Sequence, residues 1–385
     1  MATGRELPRR DLSRREMIGG LAAAASLLHP ALGRAATEPD ARLRQVMADT
    51  IAIDMHNHVY PTGISERRGG GLFGGMLGAA PASDAPLSLS QELRRAGLTA
   101  VCAEYELDFT PIEKPGDARV NYLRWIDALD RQLETERLRR AFTLKDLQAA
   151  HASGIPTLVH GIEGSQFIEG RLERIEEVYK RGLRHLQLLH DRDDIVSRLG
   201  DTDNGRDRGG GLTPFGRDVI GECNRLGVVV DLAHGSAGTI AAAAKISSAP
   251  FVVSHTGPAG SITDGRMGGL ATRLLTRERA SVVADAGGVI GVWTYPTDTI
   301  EQYVKNIRAM VTLAGTDHVG IGTDSNILSP QPGKSTNQIW RAQKSGFFSV
   351  VAAEMLRQGF TAEEIRKIGG GNYCRVFDRV TAGHA

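Results

Sequence analysis

Residue types that bind metal ions or move protons recur at one kind of place in this chain, the end of a short apolar run. His56 and His58 close TIAIDMHNH, Glu163 sits in GIEG, and His190 closes LRHLQLLH; His234 closes VVVDLAH, His255 closes FVVSH and Asp324 closes HVGIGTD. Histidines scattered over a surface would show no such preference. Imidazole nitrogens and carboxylate oxygens together are the donors of hydrolytic zinc centres. Two residues apart on a strand, His56 and His58 point to one face and can share an ion; Asp54 has the same parity and could receive a proton from a ligating imidazole. Glu163 supplies two oxygens able to bridge two cations, although a lone carboxylate there could equally cap a turn. A buried imidazole needs partners for both nitrogens. For His234 and His255 a metal ion plus one hydrogen bond meets that need, and so would two protein partners.

The elements that must carry these residues are legible in the same runs. Eight of them, at 50–58, 100–107, 156–164, 183–190, 228–234, 251–255, 289–295 and 318–324, are rich in Val, Ile and Leu and bounded by Gly. Helical patterns lie at 172–181, 214–226, 237–246, 276–286 and 300–314, with closing helices at 346–358 and 361–367. Apolar strands separated by helices predict a parallel sheet covered on both faces, and eight such units predict a (β/α)8 TIM barrel as a single domain over 37–385. Side chains from different strands converge at the C-terminal face of such a barrel, which is where the candidate residues fall. No GxGxxG turn follows the first run, so a dinucleotide-binding sheet has no support. Strand parity turns His160 toward the helices, away from Glu163, and sets Asp231 facing away from the ion as a structural carboxylate. It also separates His185, read as structural, from His190. His318 begins its run, at the wrong end of the barrel.

Residues up to 36 read as an export address. Arg14 and Arg15 lie in SRREMI, an apolar stretch follows to Leu28, and ALGRAA offers small residues for cleavage. This pattern predicts a twin-arginine-type signal and a periplasmic or secreted protein, exported already folded. The apolar stretch is too short for a ~30 Å hydrocarbon core, so no stable membrane span is expected. With 385 residues, 41% hydrophobic and 24% charged, the chain can build a large core, which excludes wholesale disorder. Forty-six basic against 45 acidic residues argues against a general nucleic-acid binder. Cys102, Cys223 and Cys374 form no CxxC pair and are expected as buried, inert thiols. Whether two copies pair as a homodimer is left open.

Beyond the export segment the chain resembles the membrane (renal) dipeptidase family of amidohydrolase-like barrels. The resemblance rests on an ordered series: DMHNH, GIEG, LRHLQLLH, GLTPFG, NRLGVVVDLAH, APFVVSH, GGVIGV, VGIGTD and GGNYCRVF. It implies a binuclear zinc hydrolase that cleaves the amide bond of dipeptides by attack of a metal-bridging hydroxide. His56 and His58 would hold one ion, His234 and His255 the other, and Glu163 would bridge them. It further implies that His190 binds substrate and polarises the scissile carbonyl, that Arg273 receives the substrate carboxylate, and that Asp324 transfers the proton. The chain departs from the family where His58 replaces an aspartate, where the second aspartate after Asp324 is missing, and in TGPAG after His255. These changes border the substrate pocket. They keep two other readings alive, a related hydrolase opening lactone or β-lactam rings and a non-catalytic barrel that binds a small molecule.

Overall fold

The structure, a computed structural model, describes Met1 and residues 37–64, 87–191, 198–203, 209–262 and 271–384. The expected export signal and the glycine-rich stretch at 67–82 lie outside the described residues. A first helix, α1 (Thr37–Asp49), leads into β1 (Ile53–His58), α2 (Leu89–Ala96), β2 (Ala100–Glu104), α3 (Asp117–Glu136) and α4 (Leu144–Ser153). Next come β3 (Thr157–His160), α5 (Glu173–Lys180), β4 (His185–Gln187), α6 (Pro214–Leu226), β5 (Val229–Asp231) and α7 (Ala237–Ile246). The second half continues with β6 (Val252–Thr256), α8 (Arg277–Asp285), β7 (Val289–Val292), α9 (Ile300–Ala314) and β8 (Val319–Ile321). A short β9 (Ser325–Asn326) and the helices α10 (Phe347–Arg357), α11 (Ala362–Arg366) and α12 (Asn372–Thr381) close the chain.

Each of the eight expected runs contains one strand, and all pairings are parallel, in the orders β3-β2-β1-β9 and β4-β5-β6-β7-β8. Single bridges, His160 to Leu183 and Glu163 to Gln187, link the β3 and β4 sides. At the other seam β9 pairs with the end of β1. The strands therefore succeed one another in chain order, as the (β/α)8 TIM barrel requires. One apolar layer fills the interior, with Ile53, Met55, Ala100, Cys102, Val159, Val229, Val252 and Val289 packed on Tyr373, Val376 and Phe377 of α12. The alternate residues, among them Val101, Leu158, Val230, Val253, Ile290 and Ile321, pack outward against the helices. All three cysteines are free and buried, one each on β2, α6 and α12.

Two strands break the simple alternation, and both breaks serve the site. The β1–β2 register shifts between Asp54 and Asn57, and the β6–β7 register shifts between Val253 and Thr256. An extra residue in a strand flips the facing of everything after it. On β1 this brings His56 and His58 to the interior that Ile53 and Met55 already face; on β6 it does the same for His255. The displaced Ser254 carbonyl fills the space over two partners: a Cβ on Gly291 or on Gly322 would lie 1.7 Å from it. No side chain fits there. Asp231 clamps the bulge from β5, accepting hydrogen bonds from Ser254 N and Ala233 N, each at 2.9 Å. Among the described residues no helix is long and apolar enough to cross a membrane.

Candidate metal centre

Glu163 lies three residues past β3, almost fully buried, and its Oε1 is ringed by imidazole nitrogens. His190 Nε2 and His234 Nε2 lie 3.4 Å away, His56 Nε2 3.6 Å and His255 Nε2 3.8 Å. In each of these four histidines the other nitrogen faces an oxygen. Ser254 Oγ lies 3.2 Å from His56 Nδ1 and 3.0 Å from His255 Nδ1, and its two lone pairs can accept both N–H groups. Asp108 Oδ1 is 2.5 Å from His190 Nδ1, and Asp191 Oδ1 is 3.3 Å from His234 Nδ1. In His56, His234 and His255 an engaged Nδ1–H leaves an Nε2 lone pair, the form that ligates a cation, whereas Asp108 favours the charged form of His190.

His58 is the exception. Its Nδ1 lies 3.8 Å from Glu163 Oε2, while its Nε2 lies 3.1 Å from Asp324 Oδ1 and 3.6 Å from Glu106 Oε1. His56 Nε2, His58 Nδ1 and Glu163 Oε2 are all buried without a hydrogen-bond partner. Buried polar atoms rarely go unpaired, and three that converge fit a cation between them. Ligand atoms from His56, His58 and Glu163, from Glu163, His190 and His234, and from His56, His255 and Asp324 each lie within 4.8 Å of one another. This nitrogen and oxygen donor set suits zinc. The residues present fit a metal centre.

The local backbone explains how the late members reach inward. His234 and Asp324 come three residues after β5 and β8, at φ 65 and 57. Such left-handed values turn the chain sharply, so strand parity no longer applies. Asp231 and His185 take the structural role within the barrel that was expected of them. Both are inside it, beneath the site: His185 Nε2 is 3.3 Å from Asp231 Oδ2, and its Nδ1 is 3.1 Å from the Tyr373 hydroxyl. Asp54 requires a correction. Because of the β1 bulge it does not share a face with His56 and His58 and meets no imidazole. It accepts instead from His56 N at 3.2 Å, Thr323 N at 2.8 Å, Thr323 Oγ1 at 2.6 Å and Asn57 Nδ2 at 2.8 Å, tying β1 to the end of β8. His160 packs outward with Nε2 3.0 Å from the Tyr122 hydroxyl, and His318 meets Gly288 O at 2.9 Å, away from the centre.

Arg273, in the turn Ala271–Arg273, lies 4.8 Å over the Trp293 ring and donates to His234 Nε2 at 2.6 Å and His255 Nε2 at 2.9 Å. Those lone pairs cannot serve an N–H donor and a cation together, so Arg273 must swing off them when the two histidines hold an ion. Charge separation across the site is strong. Burial opposes ionisation of Glu163, yet His190 and His56 hold its carboxyl well below the usual range. Burial works against a charged His58, but Glu106, Asp324 and Glu163 outweigh it and push the imidazole up to about 10. Burial likewise opposes a charged His190, and Asp108, Glu163 and Asp191 raise it well above the ordinary imidazole value. For Asp324 burial is outweighed by His58, which lowers its carboxyl.

Four acids escape a reading by run ends. Glu104 and Glu106 lie within the second run and Asp108 just past it, while Asp191 follows His190. Charged residues in and behind a strand that should be apolar were the available signal. Glu104 is buried with neither oxygen bonded, and burial together with Asp231 and Glu163 raises its carboxyl well above the usual range.

Comparison with known proteins agrees with this architecture. Dipeptidase tcpJ of Claviceps purpurea (strain 20.1) is 26% identical over 289 residues, covering 72% of this chain and 64% of that protein. Dipeptidase verJ of Clonostachys rogersoniana is 27% identical over 267 residues, covering 67% and 64%. The chain thus matches about 64% of the length of these curated relatives. Among solved structures, the probable dipeptidase PvdM from Pseudomonas aeruginosa superposes with a TM-score of 0.71 at 18% identity, over 90% of this chain and 99% of that one. A metallo peptidase from Rhodobacter sphaeroides, liganded with a phosphinate mimic of the dipeptide L-Ala-D-Ala, gives 0.62 at 19% identity, over 77% and 91%. At these identities the structures show the shared fold. Residues 40–384 match the family described as membrane dipeptidase, peptidase family M19, and the chain belongs to that family.

Proposed function

We propose that this protein is a zinc-dependent dipeptidase with two ions, one held by His56, His58 and Glu163 and the other by His234, His255 and Glu163. The observation that carries the reading is the single buried carboxylate of Glu163 with four Nε2 atoms 3.4–3.8 Å from its Oε1. When bound, the ions supply Lewis acidity, which acidifies water and polarises an amide carbonyl at neutral pH.

The chain's own residues do the rest. His190, fixed by Asp108 at Nδ1, directs Nε2–H at the substrate carbonyl oxygen and stabilises the charge that develops there. Asp324, whose Oδ1 lies 3.1 Å from His58 Nε2, accepts a proton from the attacking water and returns it to the leaving amine. Arg273, freed from the two imidazoles, grips the substrate carboxylate, its planar fork matching two oxygens. Arg14 and Arg15 with the apolar stretch behind them support export to the periplasm or beyond.

The test is metal analysis of the purified protein together with a hydrolysis screen over dipeptides, lactones and β-lactams, repeated after chelation and zinc return. Two ions per chain and chelator-sensitive dipeptide cleavage are expected. Activity confined to lactones or β-lactams would reassign the substrate, and a metal-free, inert protein would leave only a binding role.

A further inference from the structure

The two ends of the site carry groups of opposite chemistry, a guanidinium and a carboxyl. At the His234–His255 end stands Arg273. At the His58 end stands Glu106, which a parallel bridge sets beside Glu163 in the next strand position. Its two oxygens have separate tasks. The Tyr60 hydroxyl donates to Oε2 and fixes the carboxylate's orientation, while Oε1 is directed at His58, 3.6 Å from Nε2. Asp324 Oδ1 approaches the same Nε2. The Glu106 side chain keeps 15% of its surface exposed against 1% for Glu163, so a ligand entering the barrel mouth reaches Glu106 before Glu163. Between the two ends lie Glu163 Oε2 and His58 Nδ1, the buried atoms read above as facing the ion.

We propose that Glu106, oriented by Tyr60, is the binding residue for a free ammonium group, the N-terminal amine of the substrate. This rests on the dipeptidase reading above and deepens it. A dipeptide is a zwitterion whose opposite charges lie a fixed span apart, with one amide bond between them. A site with a carboxylate at one end, a guanidinium at the other and the hydrolytic centre between them reads both termini at once. Substrates with a blocked amine leave the Glu106 carboxylate without its cation, and longer peptides place their carboxylate beyond Arg273. Selection by size and by free termini follows from two side chains.

The experiment compares alanyl-alanine with propionyl-alanine, which lacks only the ammonium, on the zinc-loaded parent, Glu106→Gln and Tyr60→Phe. The parent should favour alanyl-alanine by about tenfold to a hundredfold in kcat/KM, the range of a hydrogen bond to a charged group. In E106Q that preference should collapse toward unity through KM, with both zinc ions retained on metal analysis. Y60F, which loosens the carboxylate without removing it, should lose part of the preference and decides the matter if E106Q does not fold. Retained discrimination in the variants overturns the proposal. So does loss of a zinc ion from E106Q, which would make Glu106 a metal ligand. A parent that binds zinc and cleaves neither compound nor any other dipeptide defeats the dipeptidase reading itself, a result distinct from both.

Discussion

His190 owes its direction to a residue 82 positions away in the sequence, since Asp108 Oδ1 sits 2.5 Å from its Nδ1. Removing a preorganised donor of this kind costs about a hundredfold to a thousandfold in turnover, so His190→Ala is expected to lose at least a hundredfold in kcat with zinc content unchanged. Asp108→Asn keeps the shape but cannot favour the charged imidazole, and a smaller loss, about tenfold, is expected from steady-state kinetics. A loss in H190A under threefold would remove His190 from the chemistry. Arg273 gives the opposite signature. Because it occupies the lone pairs of His234 and His255, Arg273→Ala should bind zinc at least as tightly as the parent, by competition with a coloured chelator. Its KM for dipeptides should rise tenfold or more. Weaker zinc binding in R273A would mean that the guanidinium supports the centre.

At the scale of elements, the bulges on β1 and β6 turn three histidines toward one carboxylate. Gly291→Ala forces a Cβ onto the Ser254 carbonyl and should cost about 1–3 kcal/mol in denaturant unfolding, the usual range for overpacking. It should also weaken the ion held by His255; a silent G291A would show that the bulge does not depend on that contact. Elsewhere Glu136, at the end of α3, caps the start of α2: it accepts from Ser90 N and Ser88 Oγ, each at 2.7 Å, and from Leu89 N at 2.9 Å. Burial opposes its ionisation, but these bonds lower its carboxyl below the ordinary 4.5. A depressed carboxylate stabilises the fold above the unfolded value and loses that contribution as pH falls through the folded value. Glu136→Gln should therefore be about 1–2 kcal/mol less stable at pH 7, with the gap closing below about pH 4.5 in urea titrations. A gap that is constant with pH would exclude the charge.

These same elements mark how far the sequence could be read. The strands were legible because burial on both faces demands unbroken Val, Ile and Leu, and the histidines because they interrupt that demand. A bulge leaves no trace in residue types, so Asp54 was set on the wrong face. The 20-residue α3 could have been found, since Ala118, Tyr122, Trp125, Ile126, Leu129 and Leu133 recur at helical spacing. Glu106, Asp108 and Asp191 act through residues distant in sequence, and no local pattern announces a partner across the barrel.

Taken as a whole, the barrel gathers its centre from β1 and the ends of β3, β5, β6 and β8, so an ion held there ties together strands far apart in the chain. Binding that favours the folded state adds about 2.7 kcal/mol when free ion exceeds its Kd a hundredfold. Zinc-loaded protein should melt several degrees above the chelated form in calorimetry, and an equal melting point would mean that the centre is no cross-brace. The three sealed cysteines give the same molecule a reporter of its own opening. Each thiol lies on a different element, so a sulfhydryl reagent finds nothing to modify until β2, α6 or α12 comes away. The pace of alkylation then becomes a clock for breathing of the interior, the separate peptides showing which layer parts first.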